Sequence, residues 1–221
     1  MYDLIIIGSG PAGYVAAIRA GQTGLKTAII EKNQIGGMCL NWGCIPSKSL
    51  MESVKLYQRI TKDASRFGID GIEKGSVSFN WNKAVKRSDG IVKKLTGGVE
   101  FLLKKNAVEI IKGEAKIVSA NSVLADNRLI EAKNIIIATG SSSPKIKSSV
   151  EGLVIEPEML FKEREVPQNI VVIGKSPVAV ELAQLFGMTG RTVTLVSDTD
   201  KIMPKADTYV SDFIINKLKK E

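Results

Sequence analysis

Cys39 and Cys44 are the only cysteines among 221 residues, and they stand together in Gly36-Gly37-Met38-Cys39-Leu40-Asn41-Trp42-Gly43-Cys44-Ile45-Pro46-Ser47-Lys48. A bridge between them would close a very short loop, and the stabilisation a disulfide gives grows with the loop it closes. The pair therefore points to thiol–disulfide chemistry rather than to a staple. In a regular helix, Cα atoms at i and i+5 lie roughly 8–9 Å apart. A disulfide needs less than about 7 Å. The two cysteines can bridge only where the backbone departs from helix, and Gly43 and Pro46 supply such an irregular entry. A helix beginning near Cys44–Pro46 would aim its N-terminus at the sulfurs and, with Lys48 one turn on, lower a thiolate's pKa. Two cysteines with no histidine in the chain cannot complete a four-ligand zinc site, so no metal is expected.

The elements that must hold this pair begin at the first residue. Asp3-Leu4-Ile5-Ile6-Ile7-Gly8-Ser9-Gly10-Pro11-Ala12-Gly13 reads as a buried strand, a glycine turn and a helix start. Glu31 follows at the end of a second strand, as a dinucleotide fingerprint requires. Gly8 permits the tight turn, Gly10 lets the backbone approach a pyrophosphate, and Gly13 lets helix and strand pack closely. The phosphate would rest on the helix N-terminus and Glu31 would accept from a ribose.

The same pattern recurs without gaps 166 residues later, as Asn169-Ile170-Val171-Val172-Ile173-Gly174-Lys175-Ser176-Pro177-Val178-Ala179. Lys26–Glu31 corresponds to Thr192–Ser197. Each copy predicts a βαβ unit with a parallel strand pair. The second copy is damaged: Ser176 replaces the glycine that admits the pyrophosphate, and Ser197 stands where an acid would hold a ribose, with Asp198 next to it. NAD and NADP are not distinguished by these residues.

Between the copies, Leu50, Val54, Tyr57 and Ile60 predict a helix from Pro46 to about residue 66, with Pro46 at its first position. Ile91, Leu95, Val99, Leu102 and Leu103 predict a second. Val108 to Val123 and Arg128 to Ile130 alternate as short strands around turns at Asn121-Ser122 and Asp126-Asn127. Residues 134–141 predict a separate buried strand ending in small residues, which admits a ligand or a crossing chain. Ser141-Ser142-Ser143-Pro144 is a linker into the second copy. At the end, Val210, Phe213, Ile214 and Leu218 line one face of an amphipathic helix.

Bulk properties exclude several classes. A content of 44% hydrophobic residues in 221 gives one large domain or two small ones with a real core. No run approaches the ~18 apolar residues of a membrane span. The start lacks a basic n-region, which argues against a secretory signal and for a reducing, cytoplasmic setting. The net charge of +8 is spread among 23 acids, and aromatics make up only 5%, so nucleic-acid binding is not expected. A solvated lysine-rich surface, suited to an acidic partner, accounts for the charge.

The segment from Gly36 to Lys48 resembles the GGxCLNxGCIPSK motif of the dihydrolipoamide dehydrogenases, among the FAD-dependent pyridine nucleotide–disulfide oxidoreductases. Glutathione and trypanothione reductases carry a second lysine where this chain has Ser47; mercuric reductases are closer rivals. The resemblance covers essentially the whole chain, including Gly113-Glu114-Ala115 and Ala138-Thr139-Gly140. It implies an α/β, Rossmann-like FAD/NAD(P)-binding fold: a parallel sheet with helices and a small antiparallel β insertion. Residues 1–145 would form an FAD-binding domain lacking its return segment, and 146–221 a partial NAD(P)-binding domain.

Carried onto this chain, the resemblance implies that Gly8, Ser9, Gly10, Pro11, Ala12, Gly13, Glu31 and Lys32 bind the FAD pyrophosphate and adenosine ribose. Gly37, Met38, Gly43, Glu114, Ala115, Ala138, Thr139 and Gly140 would be further cofactor contacts. Cys39 would be the interchange thiol and Cys44 the charge-transfer thiolate. Lys48 would lie near the flavin, paired with Glu181. Gly174 and Ser176 would meet a nicotinamide dinucleotide. Implied partners are a lipoyl-bearing protein or small disulfide and, as a homodimer or a separate C-terminal half, further protein.

Members of this family run to about twice this length, and this chain stops at Glu221. The interface domain that carries their histidine–glutamate pair has no counterpart here. General acid–base help worth about 10²–10⁴ would then be absent. Three readings follow: a piece of an active dehydrogenase, the product of a split or decayed gene, or a non-catalytic flavin- or nucleotide-binding interaction module. The expectation for the chain alone is family chemistry with weak or no turnover.

Overall fold

The computed structural model describes residues 1–73, 75–143, 154–161 and 165–219. Pro144 of the expected linker and the expected domain boundary after residue 145 lie outside the described residues. The chain packs as two compact units, residues 1–48 with 85–163 and residues 49–84 with 164–221.

The first unit is built on a six-stranded sheet. Its strands are β1 (Tyr2–Ile7), β2 (Thr27–Glu31), β3 (Glu109–Lys112), β4 (Ala115–Ser119), β5 (Ser122–Ala125) and β6 (Arg128–Ile137). They lie in the order β3-β2-β1-β6-β5-β4. Pairing is parallel from β3 to β6 and antiparallel from β6 to β4. The unbroken isoleucines of β1 are explained by burial on both faces, as a parallel strand requires. Ile5 and Ile7 pack with Val123, Ala125 and Ile130 of the antiparallel strands. Leu4 and Ile6 face the other way, onto Ala17 and Ala20 of α1 (Pro11–Gln22), Leu40 of α2 (Gly37–Asn41) and Val99 and Leu103 of α4 (Trp81–Lys105).

Two expectations are corrected here. Arg128–Ile130 and the strand at 134–137 are one ten-residue strand, β6. No turn residue interrupts Glu131-Ala132-Lys133, so β6 runs antiparallel to β5 at one end and parallel to β1 at the other. Its second half is not fully buried: Ile135 is half-buried against the core, while Ile136 and Ile137 are exposed, Ile137 at 66%, with β1 the strand that pairs with them among the described residues.

The helix expected from Pro46 begins two residues earlier, as α3 (Cys44–Gln58), and places Pro46 in its first turn, where backbone N–H groups have no intrahelical partner anyway. It continues as a π turn over Arg59–Asp63 and a 3₁₀ turn over Ala64–Phe67. The second helix extends back to Trp81, where the Asn80 side chain accepts from Lys83 N at 2.9 Å and caps it. A short helix, α5 (Pro157–Leu160), follows the sheet.

In the second unit, β7 (Asn169–Ile173) pairs in parallel with β8 (Thr192–Val196) across α6 (Pro177–Gly187). This is the βαβ unit the repeat predicts. Among the described residues its strands are half-buried on one face, at Ile170 and Val172, and exposed on the other, at Val171 and Ile173, where the sequence predicted full burial. Tyr57, Phe79, Trp81 and Phe186 form a chain of ring contacts in this unit. The last helix, α7 (Thr208–Leu218), is capped by Asp207. It buries Ser211 and leaves Val210 and Phe213 exposed, so its expected apolar face is only partly covered. No helix among the described residues is long and apolar enough to cross a membrane.

Candidate functional site

The C-terminal ends of β1, β2 and β6 converge on the glycine turn, at the edge of a parallel sheet where such folds bind ligands. Gly8 donates its N–H to Ile30 O at 2.8 Å, and Ala138 N donates to Ile7 O at 2.8 Å. The crossing is tight. A Cβ on Gly8, whose φ is +98°, would lie 2.4 Å from Ala138 O, and one on Gly13 would lie 1.8 Å from Gly8 O. The small-residue strand end at 138–140 thus accommodates a crossing chain, one of the two uses its sequence allowed.

Gly10 is different. Its φ of −66° is ordinary, and a Cβ there would meet nothing within 4 Å. What Gly10 keeps clear is space in front of α1, a helix with no side-chain cap and with Pro11 in its first turn. Backbone N–H groups at such an end attract an anion. An orphaned helix start facing open space fits a dinucleotide pyrophosphate.

Glu31 does more than wait for a ribose. Its Oε2 accepts from Ser9 N at 2.8 Å and from Ser9 Oγ at 2.6 Å, and its Oε1 accepts from Asn33 N at 2.8 Å. The fully buried Ser9 thereby ties the glycine turn to the end of β2. A carboxylate has about four acceptor positions, so Oε1 still has room for a hydroxyl. Gly113 N–H donates to Glu31 O at 3.1 Å, and Lys32 pairs with Glu114 at 3.3 Å. Gly113, Glu114, Lys32 and Glu31 are therefore neighbours.

The cysteine segment is docked on this turn. Gly36 N–H donates to Ser9 O at 3.0 Å, and a Cβ on Gly37 would lie 2.6 Å from Gly10 Cα. Asn41, absent from the sequence-derived site, holds the segment in place: its Nδ2 donates to Ile35 O at 3.0 Å and Gly37 O at 2.9 Å. The signal available was an asparagine one helical turn after a glycine pair. Helix α2 ends at Asn41, Trp42 is non-helical at φ −148°, and α3 restarts at Cys44. This is the backbone break that the pair's spacing demanded.

Both cysteines are thiols in this structure, Cys39 half-buried and Cys44 exposed. Burial, and then the adjoining Cys44 sulfur, push the Cys39 thiol up from 9.0 to about 11. The Cys44 backbone N–H and the Lys48 ammonium pull in the opposite direction but do not win. The expectation that the helix N-terminus lowers the thiolate's pKa is therefore corrected for Cys39. The helix end does point at its sulfur, but desolvation outweighs it.

Lys48 thus acts on Cys39, and its removal has a predictable sign. In Lys48→Met the thiol rises further, and carboxymethylation of Cys39 at pH 8, followed by mass spectrometry, slows about two- to threefold. In the parent the rate climbs until pH approaches 11. Because the folded-state value lies above the unfolded one, the reduced protein has this contribution to stability in full below pH 9. It loses it as pH rises toward 11, which urea unfolding at pH 8 and pH 10 would detect.

Of the remaining sequence-derived residues, Ala12, Met38, Gly43, Thr139 and Gly140 lie in the first unit with the turn and the cysteine segment. Gly174, Ser176 and the half-buried Glu181 lie in the second unit, at the start and on the body of α6.

The fold and site define a dinucleotide-binding α/β protein with a dithiol pair set against its glycine turn. Comparison with known proteins agrees. Residues 2–221 match the family model of pyridine nucleotide-disulphide oxidoreductases, and the chain belongs to that family. Its members are FAD-dependent disulfide oxidoreductases. The chain is 42% identical to the dihydrolipoyl dehydrogenase of Acholeplasma laidlawii, over all of this chain and 66% of that protein. It is 39% identical to that of Chlorobaculum tepidum, over 96% of this chain and 46% of that one. The chain thus spans between about half and two thirds of the length of these relatives. Among solved structures, the HOCl-induced flavoprotein disulfide reductase of Escherichia coli superposes with a TM-score of 0.83 at 25% identity, over 99% of this chain and 47% of that one.

Proposed function

We propose that this chain carries the flavin-side half-reaction of a dihydrolipoyl dehydrogenase, in an FAD-binding region of residues 1–145 followed by a partial nucleotide-binding region of residues 146–221. The observation that supports it best is the docking of Gly36 and Gly37 on Ser9 and Gly10, which sets the dithiol pair against the open end of α1. Gly8 to Gly13 and Glu31 would hold the pyrophosphate and ribose of FAD. Lys32, Glu114, Ala115, Ala138, Thr139 and Gly140 would border it, and Gly37, Met38, Gly43 and Lys48 would border the flavin. When bound, FAD supplies a two-electron acceptor for the thiol pair.

With the pair oxidised, one substrate thiolate attacks the Cys39 sulfur, the Cys39–Cys44 bond breaks, and Cys44 leaves as a thiolate. The second substrate thiolate attacks its partner sulfur in the mixed disulfide and expels Cys39. The substrate departs as a disulfide, and its two electrons reside on the pair. Cys44, exposed at the start of α3, is the thiolate held on the flavin side. Lys48 stabilises negative charge on the Cys39 sulfur.

Cys39 sets the rate. When it is expelled from the mixed disulfide, a thiol at about 11 is a poor leaving group, and that slows the second step. It needs a general acid–base, and the 221 residues contain no histidine. With these 221 residues alone the half-reaction is therefore slow. A lipoyl-bearing protein is the proposed dithiol substrate, on the strength of the relatives' names and the Gly36–Lys48 motif.

The test is anaerobic addition of dihydrolipoamide to the FAD-reconstituted chain. One equivalent of dithiol should produce a new long-wavelength absorbance as the pair is reduced, slowly and more quickly with rising pH. A chain that retains no FAD, or FAD that never responds to dithiol, overturns the proposal.

A further inference from the structure

The chain contains its own comparison, two glycine turns built alike. Gly8 N–H reaches Ile30 O at 2.8 Å, and Gly174 N–H reaches Val196 O at 2.8 Å. In front of the first helix start the space is clear, because Gly10 has no side chain and no cap is present. At the matching position of the second, the Ser176 hydroxyl folds over the helix start and accepts from Ala179 N at 3.4 Å. It satisfies from within an N–H group that the first turn leaves for a phosphate.

The acid differs as well. Ser9, uncharged, is tied to Glu31 and leaves acceptor capacity on Oε1. Its counterpart Lys175 places Nζ 2.7 Å from Asp198 Oδ1. At the Glu31 position stands Ser197, whose Oγ accepts from Thr199 N at 3.1 Å. Met203 N–H also donates to Lys175 O at 2.6 Å, holding the turn to the segment after β8.

We propose that the second turn is plugged by its own side chains: Ser176 and the Lys175–Asp198 pair occupy the phosphate and ribose positions, so the chain takes one dinucleotide, at the first turn, and no pyridine dinucleotide at the second. The family's nicotinamide cofactor does not fit these residues, and no step is drawn through it. This holds whether or not the thiol pair acts as proposed above, since it concerns binding alone.

The test uses the FAD-loaded chain, whose first turn is filled. ADP-ribose and its 2′-phosphate, which carry the diphosphate without redox chemistry, are titrated by calorimetry. The parent should show no saturable binding. Ser176→Gly combined with Lys175→Ser rebuilds the first-turn pattern and should tighten ADP-ribose binding at least about tenfold, the worth of a restored charge-assisted hydrogen bond. The mirror variant Gly10→Ser has room for its side chain. It should keep the parent's unfolding transition while weakening FAD at least about tenfold. Saturable binding of either probe to the parent overturns the proposal. So does a folded double variant that gains nothing, or a Gly10→Ser protein that binds FAD as the parent does. If the double variant does not fold, the parent titration and the Gly10→Ser measurement decide.

Discussion

Replacing Gly13 by Ala is expected to destabilise the first unit by about 3 kcal/mol or more and to abolish flavin retention. The new Cβ would lie 1.8 Å from Gly8 O and 2.9 Å from Gly8 C. Neither atom is the tip of a flexible side chain. Both belong to a turn whose N–H is fixed to β2 and whose other flank abuts Ala138 O. Relief requires α1 to move away from β1, which uncovers Leu4 and Ile6 from Ala17 and Ala20. For a chain of this size, 3 kcal/mol corresponds to a melting temperature lower by about 6–12 °C. The contrast with Gly10 is the informative part, since a side chain there meets nothing within 4 Å. Two glycines of one motif are thus required for different reasons, Gly13 for the fold and Gly10 for the ligand. A Gly13→Ala protein that melts with the parent and stays yellow would show that the crossing is not as tight as described.

Replacing Cys39 by Ser is expected to leave the fold intact and to lower dithiol-driven flavin reduction by about 10³-fold or more, since Cys44 alone cannot form the disulfide that the substrate thiolate attacks. The substitution is close to isosteric, and Cys39 is only partly buried. Stopped-flow absorbance with dihydrolipoamide measures the loss, and dithionite serves as a control because it needs no thiol. Cys44→Ser should remove the long-wavelength absorbance that Cys39→Ser keeps. Equal rates in the parent and Cys39→Ser would mean that dithiol reaches the flavin directly and that the pair is a bystander.

The parts of this molecule that were legible in the sequence are those governed by local rules. Glycines at positions 8, 10 and 13 after an isoleucine strand, the repeat 166 residues on, and the helix break between Cys39 and Cys44 follow from backbone geometry that neighbouring residues dictate. The antiparallel turn at Asp126-Asn127 was legible for the same reason. The continuity of β6 was not, because nothing in Glu131-Ala132-Lys133 says that one strand pairs with β5 at one end and β1 at the other.

What the sequence by itself determined is the chemistry on offer: one dithiol pair, one intact glycine turn with its acid, one altered copy, and no histidine. Tertiary structure decided how that chemistry is tuned. It set the pair on the glycine turn through Gly36 and Ser9, which lie far apart in the chain. It made Glu31 a clamp as well as an acceptor, and it tied Lys175 to Asp198. It also raised Cys39 where a helix start alone would have lowered it. The physical reason is common to all four. Desolvation and the satisfaction of buried polar groups depend on which atoms fold brings close, and residue types at fixed spacing do not carry that information.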